Sequence, residues 1–421
     1  DAALGAATGR VEVGDGTLQF GNTFNLAASR SLSVGLGDGT FDTNGFDTTF
    51  AQGVSGLGGL IKTGNGTLTL NGINTYEGGT MVTGGILRVG NGGSLPIGAL
   101  ILSGGKLDLN NGSDVPISIG SLSGTGGTID IGSSRLVMNQ GSDSSYDGTL
   151  TGAGSLVKNG VGTLILSGVN TYTGATSVNA GRLSVNGSIT SDVTVGAGGN
   201  LSGSGTIFGN VTNAGTLAPG NSIGTLTVNG SFTQSAGSTY QLELNAAGQA
   251  DRINVVGAPG TVTLNGGTVQ PVLTPGTYGR STTYTILNAT GGVSGTYAGV
   301  TASNYAFLFP SLSYDANNAY LTINVQFARG AQTANQAAAG SALDRANNGT
   351  GGDFATVLGA LENLSPAQGP AALTAISGQQ YSGFGSANVS GGLMFMNVLG
   401  QQMSLARGGS GGGTRVALAE A

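Results

Sequence analysis

Residues 56–90 and 152–186 are nearly the same text written twice, and that duplication constrains the fold more than any other feature. GLGGLIKTGNGTLTLNGINTYEGGTMVTGGILRVG and GAGSLVKNGVGTLILSGVNTYTGATSVNAGRLSVN align without a gap and agree at 19 of 35 positions. Self-similarity at a fixed period marks a repeat architecture, whose units are too small to bury an apolar face alone and are stable only when stacked. Leu68, Leu70, Val82, Leu87 and Val89, matched by Leu164, Leu166, Val178, Leu183 and Val185, alternate with small polar residues. Each stretch therefore reads as a short strand with one buried face. Shared glycines, among them Gly64, Gly66, Gly72, Gly78 and Gly85, mark the corners between strands.

Composition agrees. Gly at 82 and Pro at 9 of 421 residues stay below the ~25–30% expected of low-complexity disorder, and apolar alternation persists from Arg10 to Val325. The spacing predicts an all-β chain folded as a right-handed parallel β-helix, with about 20 residues in each coil. The 96-residue offset between the copies then equals four or five coils, and at ~4.8 Å per coil the turns Asn74-Thr75-Tyr76 and Asn170-Thr171-Tyr172 lie about 20–25 Å apart. Residues 10–230 should point Leu68, Leu70, Leu164, Leu166, Leu226 and Val228 inward. Alternation begins at Val11, so residue 1 reads as lying inside a longer solenoid.

Charge and cysteine bound the partners. A net charge of −6 with 14 Lys+Arg leaves no basic stripe for a phosphate backbone, so nucleic acid is excluded as a partner. Only 8% of residues are charged, against ~25% in an ordinary domain, so the exposed surface must be Thr, Ser, Asn and Gly. Zero cysteines remove disulfides, thiolate chemistry and Cys-ligated zinc. No segment has the ~18 apolar residues of a membrane helix, and no signal-peptide pattern opens the chain.

The chain changes character twice. After Asn229 the strands lengthen and become aromatic, with Tyr240, Tyr278, Tyr284, Tyr297, Phe307 and Tyr320 suggesting a terminal cap. Past Arg329 helix signals take over. An Ala-rich helix should stop at Gly349, Asp353 should N-cap a second carrying Phe354, Val357, Leu358, Leu361 and Leu364, and Ser365-Pro366 should open a third that ends at Gly378. A weaker periodicity (Val389, Leu393, Val398, Met403) predicts a fourth helix within 381–407, and GGSGGG at 408–413 reads as a flexible linker.

The motif G-x-G-T-L-x-L-x-G-x-N-T-Y-x-G-x-T-x-V at 64–82 and 160–178 resembles the passenger-associated repeat of bacterial autotransporters. GTLAPGNSIGTLTVNGSF at 215–232 is similar to the segment that opens the family's C-terminal passenger region, an autochaperone cap. LENLSPAQGPAALTAISGQQYSG at 361–383 is similar to the connector leading into the family's outer-membrane β-barrel. The resemblance implies β-helix repeats over 1–215, an autochaperone-like cap over 216–328, an α-helical connector over 329–407 and a linker over 408–421. It implies as partner the chain's own C-terminal β-barrel, which these residues do not contain. It also implies residence at the cell surface or outer membrane of a Gram-negative bacterium, or secretion after export through the periplasm. Export through a pore fits the lack of cysteine, and the cap, nearest the connector, would emerge first and template the other coils.

Fold does not supply an activity. With no histidine in the chain, the Ser-His-Asp triad and the commonest metal ligand are absent. The clusters Asp38, Asp42, Asp47 and Asp143, Asp147 could supply paired carboxylates to a polysaccharide lyase or hydrolase, but Gly-rich turns place Asp for turn geometry alone. Gly35-Leu36-Gly37-Asp38-Gly39 and Gly203-Ser204-Gly205-Thr206 open no βαβ unit, so they read as turns and not as phosphate cradles. Gly126-Gly127-Thr128-Ile129-Asp130 lacks the third glycine of a calcium repeat. In Asn-Thr-Tyr, Asn should satisfy turn amides and Tyr cover the coil edge. Lys62 and Lys158, shared by both copies, read as edge-strand charges. No catalytic residue, cofactor or metal is expected. The leading function is a structural or adhesive rod meeting host or sibling-cell surfaces, glycans or proteins. The alternative is a carbohydrate-active β-helical enzyme, betrayed by a groove that holds two or more Asp/Glu, or Asp with Lys/Arg, with shifted pKa values.

Overall fold

A computed structural model describes residues 4, 6–109, 116–347, 352–378 and 382–406. It divides into two compact units, Asp1–Ser303 with Phe309–Asn324, and Asn304–Leu308 with Val325–Ala421. The first is a β-solenoid of stacked parallel coils. Each coil turns around three faces, so three columns of strands run its length. Face I begins with Val11–Val13, Leu32–Val34 and Val54–Gly56, face II with Gly16–Gln19, Gly39–Asp42 and Leu60–Thr63, and face III with Phe24–Leu26, Thr48–Phe50 and Thr67–Leu70.

Alternation does what the sequence predicts. Leu68, Leu70, Leu164, Leu166, Leu226 and Val228 are buried in the solenoid, stacked on equivalent side chains one coil away: Leu68 pairs in register with Leu87, and Leu164 with Leu183. Coil length is not constant. It falls to 16 residues between Leu201 and Leu217 and rises to 34 between Ile253 and Leu287. The long coils close with an antiparallel pairing, Ser281–Ala289 against Asn318–Val325. Tyr240 and Tyr297 stack here with ring centroids 6.0 Å apart. An aromatic cluster that the sequence reading did not anticipate lies in the first coils, where Phe50 meets Phe20 and Phe41 edge-on at 6.4 and 5.5 Å.

The two repeat copies do not sit on the same faces. In the first, Leu60–Thr63 belongs to face II, Thr67–Leu70 to face III, and residues 74–77 bond to Val54 and Gly56 of face I. In the second, Ser155–Asn159 belongs to face I, Thr163–Leu166 to face II, and Asn170 and Thr171 bond to Leu150 of face III. The 96-residue offset is therefore five coils less one face. The repeat specifies a way of turning corners and stacking on the coil beneath, and any face accepts it.

The second unit is helical. Helix α1 (Ala334–Ala346) starts in a capping box, Thr333 accepting from the Gln336 N–H while Gln336 accepts from Thr333. Helix α2 (Asp353–Glu362) corrects one expectation: Gly352 is the N-cap and Asp353 the first helical residue. Its Leu358 and Leu361 are buried, while Val357 faces out. Helix α3 (Gly369–Ile376) opens on Pro370, not Pro366, because Ser365 and Gln368 first close a separate turn. The anticipated stop, Gly378, has φ +68°. Helix α4 (Ser382–Ala406) forms where the weak periodicity lay, with Val389, Leu393, Val398 and Met403 all exposed. Tyr381, Gly349 and the linker at 408–413 lie outside the described residues. Among those described, no helix is long and apolar enough to cross a membrane.

Candidate functional site

Lys62 and Lys158 are not edge charges. Strand alternation puts Lys62 on the same side as Leu60, and Lys158 on the same side as Leu156, so both ammonium groups turn inward and both residues are 0% exposed. Lys62 Nζ donates to the carbonyls of Thr63 and Gly64 at 2.8 Å and of Gly84 in the next coil at 3.0 Å. Lys158 Nζ repeats the set with Asn159 and Gly160 at 2.9 Å and Ala180 at 3.1 Å. Each lysine thus staples the corners of two successive coils, adding donors to carbonyls of which Thr63 O and Gly64 O also accept from Thr43 and Asn159 O from the Gln140 N–H. Burial lowers both ammonium groups to about 8, against the pull of the Asp42 and Asp143 carboxylates. The corner requires glycine where the next coil passes over. Gly85 has φ +61°, and a Cβ there would stand 2.6 Å from Lys62 Nζ. Lys-x-Gly followed by a glycine one coil later was the sequence signal for this staple.

The Asn-Thr-Tyr turns are built into the stack. Asn74 accepts from Val54 N–H at 2.8 Å and donates to Gly72 O at 3.1 Å and Ser94 O at 2.6 Å, satisfying turn groups across three coils. Asn170 does the same with Leu150, Gly168 and Ser188. Tyr76 and Tyr172 are buried outright and do not merely cover an edge, each hydroxyl lying 2.6 Å from a threonine, Thr80 or Thr176. Burial pushes both phenols up, Tyr172 to about 12.

The aspartates hold turns. Asp38 accepts from Gly59 N–H, Asp47 from Thr67 N–H and Asp143 from Thr163 N–H, all at 2.7 Å and all one coil apart in sequence. Asp42 accepts from its own turn at Asn44 and from Gln19. Asp38 and Asp47 lie at different corners of one coil, on either side of the strand Gly39–Asp42. Asp147 is exposed, and its backbone N–H bonds to Gly124 O.

A different place has the form of a binding site. The segment Pro219–Gly224 leaves face II and folds back over it. Gly203 and Gly220 exchange backbone bonds at 3.3 and 2.9 Å, Asn221 donates to Asn186 at 2.9 Å, and Asp251 accepts from Gly224 N–H at 2.8 Å. One loop therefore braces four coils. Beneath it, Ser184, Ser202 and Ala218 are buried although they point outward from their strands. Beside it opens a groove of about 620 Å³ lined by Ile165, Arg182, Asn186, Gln241, Glu243 and Val272, with Asn221 and Ser222 on the overhanging loop. Asp251, 2% exposed, fastens the groove from below, its second oxygen accepting from Glu243 N–H at 2.7 Å. Burial raises its carboxyl to about 6 against those two amide bonds. The sequence reading missed this groove, whose residues span Ile165 to Val272.

The passenger-associated transport repeat family matches residues 60–89 and 156–185, the two copies whose staples and turns are described above. A relative called adhesin BmaC autotransporter, from Brucella suis, is 34% identical over 225 residues, covering 52% of this chain and 6% of the relative. The chain carries two passenger-associated transport repeats and is similar over about half its length to an autotransporter adhesin. An extracellular serine protease of Serratia marcescens is 34% identical to this chain over 243 residues, 54% of this chain and 23% of the relative. The autotransporter lipoprotein NalP of Neisseria meningitidis is 40% identical over 87 residues, 20% of this chain and 8% of the relative. The chain thus spans less than a quarter of each of these relatives. Its sequence contains no histidine and no cysteine, so the nucleophile-histidine pair of the common serine and cysteine proteases is not within it.

Proposed function

We propose that these residues form a surface-exposed or secreted rod with a structural or adhesive role, on a Gram-negative cell, and that the protein's own C-terminal β-barrel exports them. The observation that carries the reading is the use of polar chemistry. The buried lysines and asparagines and the turn aspartates named above are occupied in tying one coil to the next, a division of labour suited to a long stack that presents a weakly charged face. A carbohydrate-active enzyme is the weaker reading. The groove brings Arg182, Glu243 and Asp251 together, but both oxygens of the raised carboxyl, Asp251, are engaged by backbone amides and held away from any substrate.

Residues 216–328 are proposed as the cap that templates folding and residues 329–407 as the connector to the barrel. Long coils, a stacked tyrosine pair and an antiparallel closure support the first. A helix α4 whose apolar side chains are exposed supports the second. The test is display: fused to an autotransporter barrel in a Gram-negative host, epitope tags placed in the 36–38 and 290–292 turns should bind antibody on intact cells. Tags that stay hidden until the outer membrane is permeabilised would contradict the reading.

A further inference from the structure

We propose that the groove beside the Pro219–Gly224 loop binds a neutral oligosaccharide without cleaving it. The proposal rests on the display reading above and names a ligand class for it. The groove lies on face II, where the loop covers the outward positions Ser184, Ser202 and Ala218 and leaves Ile165 and Arg182 open on one side of it and Gln241, Glu243 and Val272 on the other.

The lining has the chemistry that hydroxyls need. Gln241 offers a donor and an acceptor, Arg182 offers donors and Glu243 acceptors, while Ile165 and Val272 present apolar surface to sugar C–H faces. These groups are poised for a ligand. Arg182 has one long contact, 3.5 Å to Asn200, and Glu243 is exposed with its backbone N–H, not its carboxylate, tied to Asp251. The site is also built: Asp251 and the Asn221–Asn186 bond fix the loop that overhangs it.

Other ligand classes fit less well. A peptide adding a strand needs a free edge, and the backbone of face II is already paired on both sides by the coils above and below. A polyanionic glycan or nucleic acid would meet Glu243 and a chain of net charge −6 with a single arginine in the groove.

The whole chain is titrated calorimetrically with maltohexaose, cellohexaose, chitohexaose and, as the acidic comparison, hyaluronan hexasaccharide, each to millimolar concentration. At least one neutral hexasaccharide should give a saturable isotherm. Arg182→Ala with Glu243→Ala, both at exposed side chains, should weaken it tenfold or more, and Arg252→Ala, outside the groove, should leave it unchanged. No new reducing ends should appear. Absence of saturable binding by all three neutral probes, full affinity in the double variant, tighter binding of hyaluronan, or cleavage of a bound probe would each overturn the proposal. None of these results bears on whether the rod is displayed, which the antibody experiment reads separately.

Discussion

Lys62 and Lys158 make the same three carbonyl contacts from different faces of the solenoid, one on face II and the other on face I. The staple therefore belongs to the corner and its neighbouring coil, and is independent of which side of the stack the corner occupies. Replacing Lys158 by Met keeps the bulk and removes all three donors. Because a buried acceptor left unpaired costs about 1–3 kcal/mol, hydrogen exchange should show the coils around 155–185 loosened by roughly 3 kcal/mol, with those around 60–90 unchanged.

Gly181→Ala should act at the same corner through sterics. With φ +64° and a Cβ placed 2.4 Å from Gly160 O, the substitution forces the two coils apart. Its effect on the urea midpoint should exceed that of Gly237→Ala, where φ is also positive, +77°, but nothing stands near the added carbon.

Stability should depend on pH in three windows. The Asp251 carboxyl titrates near 6 when folded and about 3.9 unfolded, so between pH 4 and 6 the folded state holds the extra proton and stability falls as pH rises. The two lysines, at about 8 when folded and about 10.4 unfolded, reverse the sign. There the unfolded state holds the extra protons, and stability climbs from pH 8 to 10. Above pH 10 the buried tyrosines, raised when folded, make it fall. Urea titrations of the Lys62→Met, Lys158→Met double variant should lose the rise between pH 8 and 10 and keep the fall above it.

Core losses should stay local. Leu164→Ala should cost about 2–5 kcal/mol in its own and adjacent coils, with hydrogen exchange beyond them little altered.

How far the sequence disclosed this arrangement depends on the kind of residue. Leu68, Leu164 and Val228 were readable as core because a single side chain's fate follows from alternation. The same alternation placed Lys62 beside Leu60 on the buried side, yet its charge argued for solvent, and the carbonyls that receive it belong partly to a coil 22 residues away. Asp38 and Asp47 were readable as turn residues, but their partners, Gly59 and Thr67, became visible only with coil register. The groove was illegible for a related reason. Coil length varies from 16 to 34 residues, so nothing in the spacing of Arg182, Gln241 and Glu243 announces that they share a face. The helix starts expected at Asp353 and Pro366 were each displaced: Gly352 takes the N-cap position, and Ser365 and Gln368 close a separate turn before the helix begins at Gly369.

Templated folding from the cap is tested most directly by refolding the chain from urea with pulsed hydrogen-exchange labelling. Amides of 216–325 should become protected first, those of 150–215 next and those of 10–90 last, and a chain lacking 216–325 should leave 10–215 slow to gain protection. Protection that appears first in 10–90, or a truncated chain that refolds as fast and as stably as the whole, would contradict it.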